Sequence, residues 1–177
     1  MAIIIHSVQK LLNTSRLKAV QYISQPGKEQ FLHSWYARLV STGFPGKLLV
    51  MYVHEPSLLT VVCRGKTIGG TWDDFCKRLP ALLERFQFSP TFILSEMAQI
   101  DSYIVAKTNS KSMLSYMNQM VMMLEIGCER YSAYESILQD KMENTMMKYL
   151  YSTGNKNNPY TTPSDYWKTF FSGLSNV

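Results

Sequence analysis

The apolar positions change period part-way along the chain. In the first half they come in short runs and alternations that suit strands; in the second they recur three and four residues apart, as on helices. Residues 2–6 read as a short strand, after which Ser7 can begin a helix with Val8, Leu11 and Leu12 on one face. A Gln25-Pro26-Gly27 turn follows. Trp35, Ala37 and Leu39 alternate with Tyr36, Arg38 and Val40, the pattern of a strand with one face well buried. Gly43-Phe44-Pro45-Gly46 is turn chemistry, and residues 47–53 and 58–63 are apolar, β-branched runs joined through His54-Glu55-Pro56-Ser57. These three strands form an antiparallel meander in this reading. Residues 101–107, with Tyr103 and Val105 on one side, make another strand.

The helical half opens at Thr71, which with Asp74 resembles a capping box. Phe75, Leu79, Leu82 and Phe86 follow at helical spacing, with Pro80 expected to kink or divide the helix. Ser89-Pro90 opens a short helix through Phe92, Leu94 and Met97. The helix after Thr108-Asn109 is the most apolar. At about 100° per residue, Leu114, Met117, Val121, Leu124 and Cys128 fall in one stripe. Met113, Tyr116, Met120 and Met123 widen it, and Met122 points toward the polar arc, exposed. Such a helix belongs at the centre of the fold. Ser132 with Glu135 is a second capping box, ahead of a stripe of Tyr134, Leu138, Met142, Thr145 and Tyr149. Residues 152–177 add an Asn-rich polar loop and a last short helix signalled by Thr162, Pro163 and Asp165.

Composition bounds the class. The 177 residues are 46% hydrophobic and only 18% charged, which suits one globular domain spanning 1–177 and excludes a disordered chain. No apolar run is long enough to span a bilayer, and the start reads as a strand, not a leader. Cys63, Cys76 and Cys128 are few, odd in number and widely spaced, so a reducing cytoplasm and three small buried side chains are expected. The net charge of +5 is unevenly placed: residues 1–70 hold eight Lys and Arg against Glu29 and Glu55, the remainder ten against eleven acids. A basic half favours phosphates or an acidic partner, although its cations are scattered singly.

Motifs for named chemistries fail on spacing. Gly65-Lys66-Thr67 has the ending of a P-loop, but Thr60 stands where the first glycine is needed. His6, His33 and His54 lack paired spacing, so no metal is expected, and nothing calls for a cofactor. Asp73 and Asp74 are explained by capping, Glu125 and Glu129 by a solvated face. The methionines could form an adaptable groove or a soft-metal cluster, but at these spacings core filling is the better reading.

One constellation stands out. Thr108, Asn109, Ser110, Lys111 and Ser112 join a strand to the N-terminus of the apolar helix, with Asn118 two turns further on. Free amides, hydroxyls and the cations Lys107 and Lys111 make a candidate anion site; capping by one of these side chains is the plainer account.

The order of Lys10-Leu11-Leu12, Trp35 with Ala37 and Leu39, the two hairpin strands, and then Thr-Asn-x-x-Ser-x-Leu-x-x-Met-Asn at 108–118 resembles an uncharacterised bacterial family, a domain of unknown function. The resemblance covers roughly residues 3–125. The family pattern has Arg before the serine and Gly after the leucine, where this chain has Lys111 and Ser115. The resemblance implies a bacterial accessory protein and supplies no activity.

The expected fold is α+β: a mixed, mainly antiparallel sheet of about five strands with helices packed on one face. The expected function is a non-catalytic binding module for a protein or nucleic-acid partner, with no membrane partner. The alternative is an enzyme acting on a phosphate-bearing substrate at the Thr108–Ser112 loop. The first is preferred because no nucleophile, base and orienting group can be assembled from the sequence.

Overall fold

The computed structural model describes residues 2–21 and 30–174, so the expected turn at Gln25-Pro26-Gly27 lies outside the described residues. In chain order the elements are β1 (Ala2–Ser7), α1 (Gln9–Ser15), β2 (Ser34–Ser41), β3 (Leu48–His54), β4 (Thr60–Arg64), α2 (Ile68–Arg85), α3 (Pro90–Met97), β5 (Ser102–Lys107), α4 (Lys111–Cys128), α5 (Gln139–Met147), β6 (Tyr151–Ser152), β7 (Tyr160–Thr161) and α6 (Pro163–Leu174). A short 3-10 turn, Tyr134–Ser136, precedes α5. Five strands form one sheet in the order β4-β3-β2-β1-β5, and β6 pairs with β7 in a small hairpin.

The fold is α+β, and the expected meander is present: β2 pairs with β3, and β3 with β4, both antiparallel. The sheet is mixed, because β1 runs parallel to both neighbours, Ser7 standing opposite Ala37 on β2 and Lys107 on β5.

The expectation of helices on one face is corrected. Successive strand residues feed two separate cores. Trp35, Ala37, Val50, Tyr52, Val61 and Cys63 join Leu11 and Leu12 of α1, Phe75 and Leu79 of α2, and Trp167 of α6. Tyr36, Val40, Met51, Val53 and Val62 join Met117, Met120 and Leu124 of α4 and Met142 and Met146 of α5. A sheet covered on both faces buries every residue of a central strand, and Leu49 to His54 are all buried.

Two caps differ from expectation. The α2 N-cap is Thr67, extended in backbone, whose hydroxyl receives the Gly70 amide at 3.0 Å; Thr71 lies inside the helix, its hydroxyl 2.6 Å from that of Tyr52. Pro80 sits within α2 without dividing it. Ser132 and Glu135 do not cap a helix. Arg64 donates to the carbonyls of Glu135 and Ile137 at 2.9 and 2.6 Å, which draws that stretch onto the end of β4 and delays α5 until Gln139. Of the expected stripe there, Met142 is buried while Leu138 and Thr145 are exposed. Met122, expected on the polar arc of α4, is 58% exposed.

The outer edge of β4 is closed by side chains. Glu143 of α5 accepts from the Val62 amide at 3.0 Å, and Gln139 donates to the Val62 carbonyl at 2.8 Å. These take the place of a missing strand and block edge-to-edge pairing. Glu143 is fully buried, and Arg78 of α2 grips it in a fork, Nε to Oε1 at 2.8 Å and Nη2 to Oε2 at 2.9 Å. Arg85 adds a bond of 2.5 Å. Burial alone would lower the pKa of Arg78, but hydrogen bonding and charge from Glu143, then Asp140, push it above the ordinary value. The cluster ties a helix on one face of the sheet to a helix on the other.

Candidate functional site

Adjacent parallel strands β1 and β5 lead into helices on opposite faces. After Ser7 the chain turns into α1, which packs with the Trp35 face; after Lys107 it turns into α4, which packs with the Tyr36 face. Where neighbouring parallel strands part in this way a crevice opens beyond their carboxyl ends, the habitual place for ligands in such sheets. A cavity of about 640 Å³ lies on the α1 side of this region, between α1, residues 16–19 and Lys107 at the end of β5. Arg16, Lys18 and Lys107 line it together with Gln9 and Asn13, and its lining holds no carboxylate. Lys107 immediately precedes the candidate segment, while Thr108, Asn109, Ser110, Lys111, Ser112 and Asn118 are not part of the cavity wall.

The segment itself is held by side chains from the sheet. The Tyr36 hydroxyl donates to Asn109 Oδ1 at 2.5 Å. Burial, with a further contribution from the Glu55 charge, pushes the Tyr36 phenol up to about 12, so it remains a donor at neutral pH. His6 stacks on the Tyr36 ring at 4.7 Å between centroids, and its Nδ1 lies 3.0 Å from the Lys107 carbonyl. Ser110 is the N-cap of α4, its hydroxyl receiving the Met113 amide at 3.2 Å and lying 3.0 Å from that of Ser112. Arg38 of β2 donates to Asn118 Oδ1 on α4. Farther along, Glu125 accepts the Ser41 amide at 3.1 Å. Lys107, Thr108 and Lys111 form no side-chain hydrogen bond with a described residue, and both lysines are exposed. Asn109, Ser110 and Asn118 thus hold the loop in place, and Lys107 and Lys111 are left facing outward.

Each histidine has its own hydrogen-bond partners. His33 Nδ1 lies 2.6 Å from the Gln30 carbonyl. His54 is buried between Ser57 at 2.7 Å and the Phe31 carbonyl at 2.8 Å. Among the described residues no three His, Cys, Asp or Glu side chains gather as a metal site would require. No helix among them is long and apolar enough to cross a membrane.

A family model for a domain of unknown function, DUF6933, matches residues 4–166. The chain belongs to this family. The match spans β1 through the start of α6 and so takes in both the crevice and the 108–118 segment, beyond the stretch over which the motif resemblance was traced. No curated protein matches the chain.

Sequence reasoning reached Lys107 and the loop but missed Tyr36, His6 and Arg38 as its supports, and Gln9, Asn13, Arg16 and Lys18 as the crevice wall. The cationic surplus before residue 71 was a signal for Arg16 and Lys18. The partnership with β5 had none, because it joins positions about a hundred residues apart.

Proposed function

We propose that this member of the DUF6933 family is a non-catalytic binding module that receives a phosphate-bearing partner, a nucleic-acid strand, in the crevice beyond β1 and β5. The observation that carries this reading is the crevice lining: Arg16, Lys18 and Lys107 converge without a carboxylate among them. Lys111 and Ser112 are exposed at the start of α4, outside the cavity wall, four and five residues after Lys107. The Tyr36–Asn109 and Arg38–Asn118 bonds support the reading by fixing the loop before a partner arrives, so little ordering entropy is lost on binding.

Three phosphate contacts predict moderate, salt-dependent and sequence-tolerant affinity. For a single strand the slope is roughly −0.7 per contact, so binding falls about twentyfold between 50 and 200 mM salt. Fluorescence anisotropy with labelled single-stranded DNA and RNA of about twelve nucleotides tests this. Joint replacement of Arg16, Lys18 and Lys107 by Ala should weaken binding about tenfold or more and flatten the salt slope. Binding that survives high salt, or that the triple variant retains in full, refutes the assignment. Turnover of the phosphodiester or of a phosphate ester probe would instead make the crevice an active site.

A further inference from the structure

The face of α4 and α5 that points away from the sheet presents a second surface, independent of the crevice. Met122 and Ile126 on α4, Leu138 just before α5 and Leu150 just after it are 58, 51, 58 and 63% exposed. Large apolar side chains grouped on neighbouring elements mark an interaction surface more often than singly scattered ones do. Here they flank a depression. A cavity of about 330 Å³ lies between the two helices, walled by Leu124, Ile126, Leu138, Met142 and Met146. A second recess of about 500 Å³ shares Met123, Lys141 and Thr145 with it and continues to Leu150. The two make one groove along α5, whose nine residues give it a length of about 14 Å, between two and three helical turns.

The charge around this groove has one sign. Arg130, Lys141 and Lys148 line it, and no carboxylate does. None of the three makes an ion pair or side-chain hydrogen bond with a described residue. Methionine side chains in the wall can repack around differing apolar shapes.

We propose that this groove docks an amphipathic helix of a protein partner, its apolar stripe seated between α4 and α5 and its acidic flanks meeting Arg130, Lys141 and Lys148. A concave apolar channel between two helices fits an entering helix. Charge complementarity selects acidic flanks. A second copy of this chain is disfavoured, since a two-fold contact through the groove would set these three cations against their own counterparts. A nucleic-acid strand would satisfy the cations and leave the apolar residues uncovered.

The test uses the full chain and a fluorescein-labelled synthetic peptide of about fourteen residues, with Leu at helical spacing and Glu on both flanks. A scrambled peptide and a Lys-for-Glu peptide serve as comparisons. Saturable binding of the acidic helix is expected, about tenfold or more weaker for the Lys-for-Glu peptide and for the Lys141→Glu, Lys148→Glu chain. Ile126→Ser with Leu138→Ser should abolish it. Both side chains are half exposed, so an unchanged far-UV circular dichroism spectrum is expected. The crevice variants should bind the peptide normally, and an oligonucleotide should not compete, which keeps this result separate from the fate of the nucleic-acid reading. Four results would each overturn the proposal: no saturable binding by the acidic helix; equal binding of the scrambled peptide; a dimer in sedimentation that Ile126→Ser dissolves; or capture by phosphatidylserine vesicles through the same residues.

Discussion

Replacing Glu143 by Ala removes the carboxylate on which two helices and a strand edge converge. Glu143 is fully buried, and the side chains of Arg78 and Arg85 are only 15% and 26% exposed, so water reaches the cluster poorly. Deleting one partner of a buried ion pair costs about 3–5 kcal/mol; Asp140 still faces Arg78 at 2.5 Å and Arg85 at 3.6 Å, but at 63% exposure it offsets only part of the loss. The Val62 amide also loses its acceptor, a penalty of about 1–3 kcal/mol that overlaps with the first, because the same oxygen serves both. A net loss of about 4 kcal/mol is expected, a large share of the roughly 5–15 kcal/mol that stabilises a typical domain. In urea, with a slope of about 2 kcal/mol per molar, the midpoint should fall by about 2 M. Tryptophan fluorescence and far-UV circular dichroism read the transition. A companion variant with Met at 78, 85 and 143 should be less destabilised than Glu143→Ala, because it removes the charges together with their partner. A loss under about 1 kcal/mol for Glu143→Ala, or a triple variant weaker than the single one, would refute the view that this cluster is a desolvated clamp.

Met117 is wholly buried on the sheet side of α4, so Met117→Ala should cost about 2–5 kcal/mol by equilibrium denaturation, whereas Met122→Ala, on the exposed face, should stay within about 0.5 kcal/mol. His54 is held neutral: burial, opposed by its bond to the Phe31 carbonyl and aided by His33, lowers its pKa from 6.5 to about 3. Between those values the unfolded chain takes up a proton that the folded chain refuses, so stability falls as pH drops below 6.5, by up to about 1.4 kcal/mol per pH unit from this group. His54→Gln should flatten that part of the stability profile; an unchanged slope would show that other groups dominate it. Tyr36→Phe removes the donor to Asn109 and should cost about 1 kcal/mol, with faster amide exchange across residues 108–112 as the more sensitive readout.

The local elements were legible because their signals are local. The Trp35 alternation and the two apolar runs after it mark β2, β3 and β4. The spacing of Met117, Val121, Leu124 and Cys128 marks the buried face of α4, with Leu114 of the same stripe only partly buried, and the polarity around Met122 marks its exposed one. The 108–118 segment was recognisable as a strand-to-helix junction, and Ser110 caps it. Cap positions were less secure, since Thr67 and Thr71 offer the same hydroxyl, and only contact with Tyr52 decides which lies inside α2. The unbroken runs Ile3-Ile4-Ile5 and Leu48 to Val53 did carry a sign that both faces of the sheet are covered, because a strand solvated on one side alternates. What no local pattern could state is which strands meet. β1 lies between β2 and β5 through parallel pairings that skip long stretches of chain, and that placement opens the crevice where Arg16, Lys18 and Lys107 gather. Likewise Glu143 reads as an ordinary polar residue of α5 until Arg78, Arg85 and the edge of β4 close around it. Periodicity reports which side of an element is apolar; the choice of neighbour rests on the balance of burial and chain closure over the whole fold, and that balance exists only in three dimensions.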